Sequence, residues 1–128
     1  MTTISKYSKK KFYEGIELWR VDAEFADPMF NYLVYGFSPG SFFTAVLAND
    51  FSSAIARSHP ANTITALKAL TGWINDCMPF IARGSYDKVN AWTKLDEATR
   101  RDVLIAHNMI YTPKQETFLA IKGEPVYD

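Results

Sequence analysis

The sequence predicts a mainly α fold, a compact bundle of about five helices. Two observations carry that expectation. Apolar residues recur at spacings of three and four through most of the chain, and capping residues, glycines or prolines stand where those stripes begin and stop. A third shows that the chain folds at all: of its 128 residues 48% are hydrophobic and 15% aromatic, enough apolar surface to offset the entropy of ordering.

Residues 1–11, ending in Lys9, Lys10 and Lys11, read as a loose N-terminal segment, and residues 12–128 as one globular domain. Segment 12–25 stays open between helix and strand. Phe12, Ile16 and Trp19 form a helical stripe, whereas Gly15 and the alternation through Ile16, Leu18 and Arg20 suit a short strand. Asp27-Pro28 reads as the N-cap and first residue of a short helix that ends at Gly36. Ser38-Pro39, with Ser41 as the alternative cap, starts a second helix. Its core-facing residues are Phe43, Val46, Leu47, Phe51, Ala54 and Ile55, and Ser58-His59-Pro60 stops it.

Asn62 reads as the cap of a third helix. Ile64, Leu67, Leu70, Ile74, Cys77 and Ile81 make up its apolar face, and Gly72 sits inside it, permitting a close crossing or a kink. Ser85 opens a fourth helix anchored by Val89 and Trp92. A fifth starts near Leu95, with Asp96 and Glu97 in a first turn that suits the helix dipole. Residues 117–121 read as a strand, which can pair with residues 16–21 as a small two-stranded ribbon if those are extended; residues 123–128 form a tail.

Fourteen basic residues balance fourteen acidic ones, so the chain lacks the electrostatic field of a dedicated nucleic-acid or membrane-surface binder. No apolar run approaches the roughly 18 residues that span a bilayer. The single cysteine, Cys77, supports neither an internal disulfide nor a cysteine-based zinc site, and favours a reducing, cytoplasmic setting. Two histidines are too few for a zinc centre, and no cofactor is expected. A Cys–His nucleophile would need Cys77 with His59 or His107, but Cys77 falls on an apolar stripe where a thiol behaves as a small hydrophobe. No catalytic residue is therefore expected. Asp50 is the least comfortable residue of the second helix: it lies at the edge of the apolar stripe and needs a partner, a neighbouring cap or Arg57.

Pro39-Gly40-Ser41-Phe42, with Ala45-Val46-Leu47 and Asn49-Asp50, is followed by an Asn opening the next helix and by Gly84-Ser85 before a Trp-containing helix. This pattern, over residues 39–93, resembles that of small phage and prophage proteins of unknown function. The resemblance implies a viral or mobile-element origin and a shared helical unit, and it brings no catalytic residues with it. The leading expectation is a non-enzymatic protein-binding module, a phage-encoded modulator or inhibitor of a host process or defence system, acting in the host cytoplasm on a host or phage protein. Its aromatic-rich Phe30, Tyr32, Tyr35, Phe37 and Phe42 would form the binding patch, or a homo-oligomer interface. Two alternatives stand beside it. One is a nucleic-acid-associated protein using Lys9, Lys10, Lys11, Arg100 and Arg101; the other is a small-ligand binder or enzyme around Asp50, Arg57 and His59.

Overall fold

A computed structural model describes residues 4–123. Those residues form eight α-helices: α1 (Lys6–Leu18), α2 (Ala23–Tyr35), α3 (Ser41–Leu47), α4 (Phe51–Arg57), α5 (Ile64–Cys77), α6 (Tyr86–Lys94), α7 (Glu97–Ala106) and α8 (Pro113–Lys122). A single 3-10 turn, Phe80–Ala82, follows α5. The mainly α class holds, but the expected five helices are eight: α1 and α8 form where a loose segment and a strand are expected, and the expected second helix is divided into α3 and α4.

Seven of the eight helices open on a side chain that accepts a backbone N–H of the first turn: Ser5, Asp22, Asp50, Thr63, Ser85, Asp96 and Thr112. Only α3 lacks such a bond, opening instead on Gly40.

The N-terminal segment is corrected first. From Lys6 onward it is helical, because Ser5 caps it and Ser8, Phe12 and Ile16 recur every four residues as one buried stripe. The ambiguity of 12–25 resolves the same way, into the end of α1 and the start of α2. Asp22 rather than Asp27 caps α2, through a 3.0 Å bond from the Glu24 N–H, and Pro28 lies inside the helix. Its missing N–H forfeits only the bond to the Glu24 carbonyl, on an exposed residue open to water.

The ribbon does not form: residues 16–18 end α1, and residues 117–121 belong to α8. Thr112 and Gln115 make a reciprocal capping box there, Pro113 takes the first helical position and Gly123 the left-handed stop, and together these outweigh the β-branched composition. Of the expected tail, residues 124–128 lie outside the described residues.

The expected second helix is two. Thr63, not Asn62, caps α5, while the Asn62 amide donates to Ser58 Oγ at 3.1 Å. α5 ends at Cys77 because Met78 precedes Pro79 and is extended. Ile81 therefore leaves the expected apolar face and stands half exposed. Gly72 makes room for a side chain: the Trp19 ring lies 3.6 Å from where a Cβ would be.

α2 is the central element, contacting α1, α6 and α7, with seven of its thirteen residues buried. Trp73, Trp92, Tyr32, Met29 and Leu33 are fully buried around it. Two side-chain bonds tie distant elements together inside this core: the Tyr32 hydroxyl donates to the Ala82 carbonyl at 2.7 Å, and the Trp92 indole donates to the Tyr32 carbonyl at 3.1 Å. Arg100 of α7 reaches the end of α2, its Nε donating to the Val34 carbonyl at 3.2 Å and its Nη1 to the Leu95 carbonyl. A guanidinium placed at a helix C-terminus satisfies carbonyls that the helix leaves open.

Candidate functional site

The segment from α3 to the start of α5 holds the exposed chemistry. α3 stops at Leu47 in a Schellman motif: the Asp50 N–H donates to the Ala45 carbonyl at 2.9 Å and the Asn49 N–H to the Val46 carbonyl at 3.1 Å. Asn49 takes the left-handed conformation this needs, with φ 64°. Asn tolerates that region better than other non-glycine residues because its short side chain bonds locally.

Asp50 then does the work of a cap. Its Oδ1 accepts the Ser53 N–H at 3.3 Å and its Oδ2 accepts the Tyr86 hydroxyl at 2.6 Å. Hydrogen bonds from Tyr86 first, and then from Ser53 through both its side chain and its N–H, hold the carboxyl below the ordinary carboxylate range; Arg57 adds the smallest contribution. The same contact pushes the Tyr86 phenol up. A 2.7 Å bond from the Gly84 N–H to the Leu47 carbonyl fixes the 83–86 loop against the end of α3. Asp50 therefore has a structural account, through Tyr86 and its own helix, with Arg57 nearby. His59 is not part of it: its Nδ1 accepts the Ala61 N–H at 3.0 Å within the loop after α4.

The break turns the apolar residues of α4 outward. Only Ala54 of α4 is buried, while Phe51 is 75% exposed. Phe51 and Ile55 of α4 face Leu67 and Thr71 of α5 across a narrow cleft of about 60 Å³, with Asp50 at its rim. Ile64, 72% exposed, stands one turn before Leu67 on the same side of α5.

The expected aromatic patch is dispersed. Phe30 and Tyr32 are core residues, and burial pushes the Tyr32 phenol well above its ordinary value. Tyr35 and Phe42 are half buried, Phe42 against Phe43 and Phe25. Phe37 alone is exposed, its ring 5.8 Å from that of Tyr35. Phe30 and Tyr32 are buried because α2 is central and that face of it points into the core.

The basic residues do not form one face either. Arg100 is 5% exposed and spent on carbonyls, and Arg101 pairs with Glu97 at 3.8 Å. Successive lysines fan around α1: Lys9 lies over Phe30 at 5.8 Å, Lys10 pairs with Glu14 at 3.6 Å, and Lys11 lies over Tyr111 at 4.7 Å.

Cys77 and His107 share a recess of about 330 Å³ with Asp76 and Trp19. Burial, with Asp76 beside it, pushes the Cys77 thiol up, which keeps it protonated and opposes nucleophilic use. The His107 Nδ1 lies 3.0 Å from the Val103 carbonyl of its own helix. Among the described residues, no group of three or more His, Cys, Asp and Glu could hold a metal ion, and no helix is long and apolar enough to cross a membrane.

The fold and its surface thus define an α-helical domain with one divided helix that presents apolar side chains at its surface. The sequence matches no protein-family model, and no curated protein or solved structure is significantly similar to it.

Proposed function

We propose that the protein is a non-enzymatic binding module that holds a partner protein on the apolar face formed by α4 and the start of α5. Following the phage-protein pattern in residues 39–93, the partner is a host or phage protein whose process the module modulates. The observation that supports this reading is the exposure of Phe51 and Ile64 on neighbouring helices that already share a cleft at Ile55 and Leu67. Large apolar side chains grouped at the surface with a polar rim are a mark of interaction sites, and here Asp50, Tyr86 and Thr71 supply the rim. The cleft has the volume of about two water molecules, room for the tip of one apolar side chain from the partner.

The test is a paired capture from host lysate with the wild-type chain and with Phe51→Ser/Ile64→Ser. Both positions are exposed, so the double variant should keep the wild-type circular dichroism. The wild type should retain one or a few proteins that the variant loses. Retention of the same proteins by a folded variant would sink the reading.

A further inference from the structure

α1 runs against its own dipole. Acidic residues open α2, α6, α7 and α8, and basic residues close α4, α6 and α8, as the helix dipole favours. α1 has no acidic residue in its first turn and no basic residue in its last. Instead Lys6 and Lys9 stand in the first turn, and Glu17 in the last.

These charges are also aligned. Lys6, Lys9, Lys10, Tyr13, Glu14 and Glu17 recur at intervals of three and four and so share one face of α1. All six line an open groove of about 390 Å³ against Asp27 of α2. Tyr13 donates its hydroxyl to Asp27, and burial together with that bond keeps the phenol protonated. Along the groove the sign changes once, from three lysines to two glutamates, over a rise of roughly 16–17 Å between Lys6 and Glu17. Among the described residues Lys10 and Glu14 pair across the change, on a contact whose side chains are 39% and 60% exposed.

We infer that this face of α1 docks on the same face of a second copy of the chain, antiparallel, in a two-fold symmetric dimer held by charge. The occupant follows from the order of the charges. An antiparallel second α1 sets Lys6 level with Glu17 of the other copy, Lys9 level with its Glu14, and Lys10 level with its Tyr13–Asp27 pair. A parallel copy would instead set lysine against lysine. The antiparallel arrangement also brings each copy's glutamates to the other's helix N-terminus, relieving the dipole mismatch in both. Self-complementary surfaces of this kind are the usual basis of two-fold dimers. Because charged side chains and Tyr13 line the groove and no aliphatic residue does, the association is weak and salt-sensitive. It uses α1 and not the α4–α5 face, so its failure leaves the proposed function standing.

Sedimentation equilibrium of the full chain tests it at salt concentrations of about 0.01 M and about 1 M, where charges are screened beyond about 30 Å and about 3 Å. Two variants are compared, Lys6→Glu/Lys9→Glu and Glu14→Lys/Glu17→Lys. The first leaves Lys10 as the one base of the groove and the second leaves Asp27 as its one acid, so each groove is dominated by a single sign. The wild type should self-associate at low salt and weaken at least about tenfold at high salt, and each variant alone should weaken at least about tenfold at low salt. Mixed in equal amounts, the two variants should recover the wild-type association as a heterodimer. A wild type that stays monomeric at low salt, a dimer indifferent to salt, variants that still self-associate, or a mixture that stays dissociated would each overturn the inference.

Discussion

The contact between Gly36 and Arg100 gives the most quantitative test of how the fold is held. Gly36 ends α2 with φ 71°, and a Cβ there would lie 2.8 Å from both Cζ and Nη1 of Arg100 and 3.2 Å from the Thr93 carbonyl. Gly36→Ala therefore carries two costs. The left-handed backbone costs an L-residue about 1–2 kcal/mol. The clash moves the guanidinium off the Val34 and Leu95 carbonyls, and leaving the buried Val34 acceptor without its donor costs about 1–3 kcal/mol, the part-buried Leu95 carbonyl being open to water. Arg100→Met keeps the aliphatic bulk, removes both donors and incurs the second cost alone. Because both substitutions break the same clasp, the double variant should cost less than their sum by about 1–3 kcal/mol. Urea unfolding followed by circular dichroism reads all three variants, and each kcal/mol should lower Tm by about 4 °C in a chain of this size. Additive effects, within about 0.5 kcal/mol, would show that Gly36 is required by its backbone alone and that Arg100 does not clasp α2 as described.

Two further predictions concern single polar contacts. The Asp50 carboxyl is held below its ordinary range in the folded state, so its contribution to stability is present above the ordinary carboxylate pKa of about 4 and is lost as pH falls through the lower folded value. Asp50→Asn keeps a good N-cap and should flatten that part of the acid limb of a urea-midpoint profile; Tyr86→Phe should shrink it, and an unchanged slope in both would remove the contact from the account. Ser8 is fully buried in α1 and its Oγ accepts the Tyr111 N–H at 3.0 Å, so Ser8→Ala should cost about 1–3 kcal/mol by leaving that N–H unpaired, whereas a loss under about 0.5 kcal/mol in urea unfolding would mean that another acceptor serves it.

Some helix starts are legible in the sequence, but Asp27 and Ser38 are not caps: Asp22 and Gly40 open those helices. Ser85 reads as a cap from its residue type and its place before an apolar stripe, and it caps. Asp96, placed in a first turn, stands one residue earlier and caps as well. Asn62 was displaced by one residue for a physical reason: Thr63 offers the same oxygen, and the Asn62 amide is occupied by Ser58. The stops at Gly36 and at Ser58 are legible, and the others are harder to see. α1, α3 and α7 all end in the same pair of backbone bonds, with Arg20, Asn49 and Asn108 in the left-handed region. The two asparagines carried a usable signal, since Asn is the commonest substitute for glycine there, but Arg20 carried none. Met78-Pro79 was also a readable stop and would have taken Ile81 off the apolar face of α5. The aromatic patch failed for a different reason. Residue type alone puts Phe30 and Tyr32 in a binding patch, but α2 lies at the centre of the fold and buries them, and centrality is not a local property of a sequence.

The stop at Asn49 also bears on the proposed function, because it decides which side chains the α4–α5 face presents. In an unbroken helix from Ser41 to Arg57, Phe51 and Ile55 would continue the stripe of Leu47 at intervals of four and would face the core. Asn49 reverses the local backbone, Asp50 starts a new helix, and the Tyr86 hydroxyl fixes the carboxylate at the corner. α4 then buries only Ala54 and carries Phe51 outward beside Ile64. The asparagine and aspartate that look like a polar site inside an apolar helix are thus what exposes the apolar site. Asn49→Gly, which favours the same left-handed turn, should preserve partner capture by the α4–α5 face. A substitution that straightened the turn would bury Phe51 and remove it from the surface.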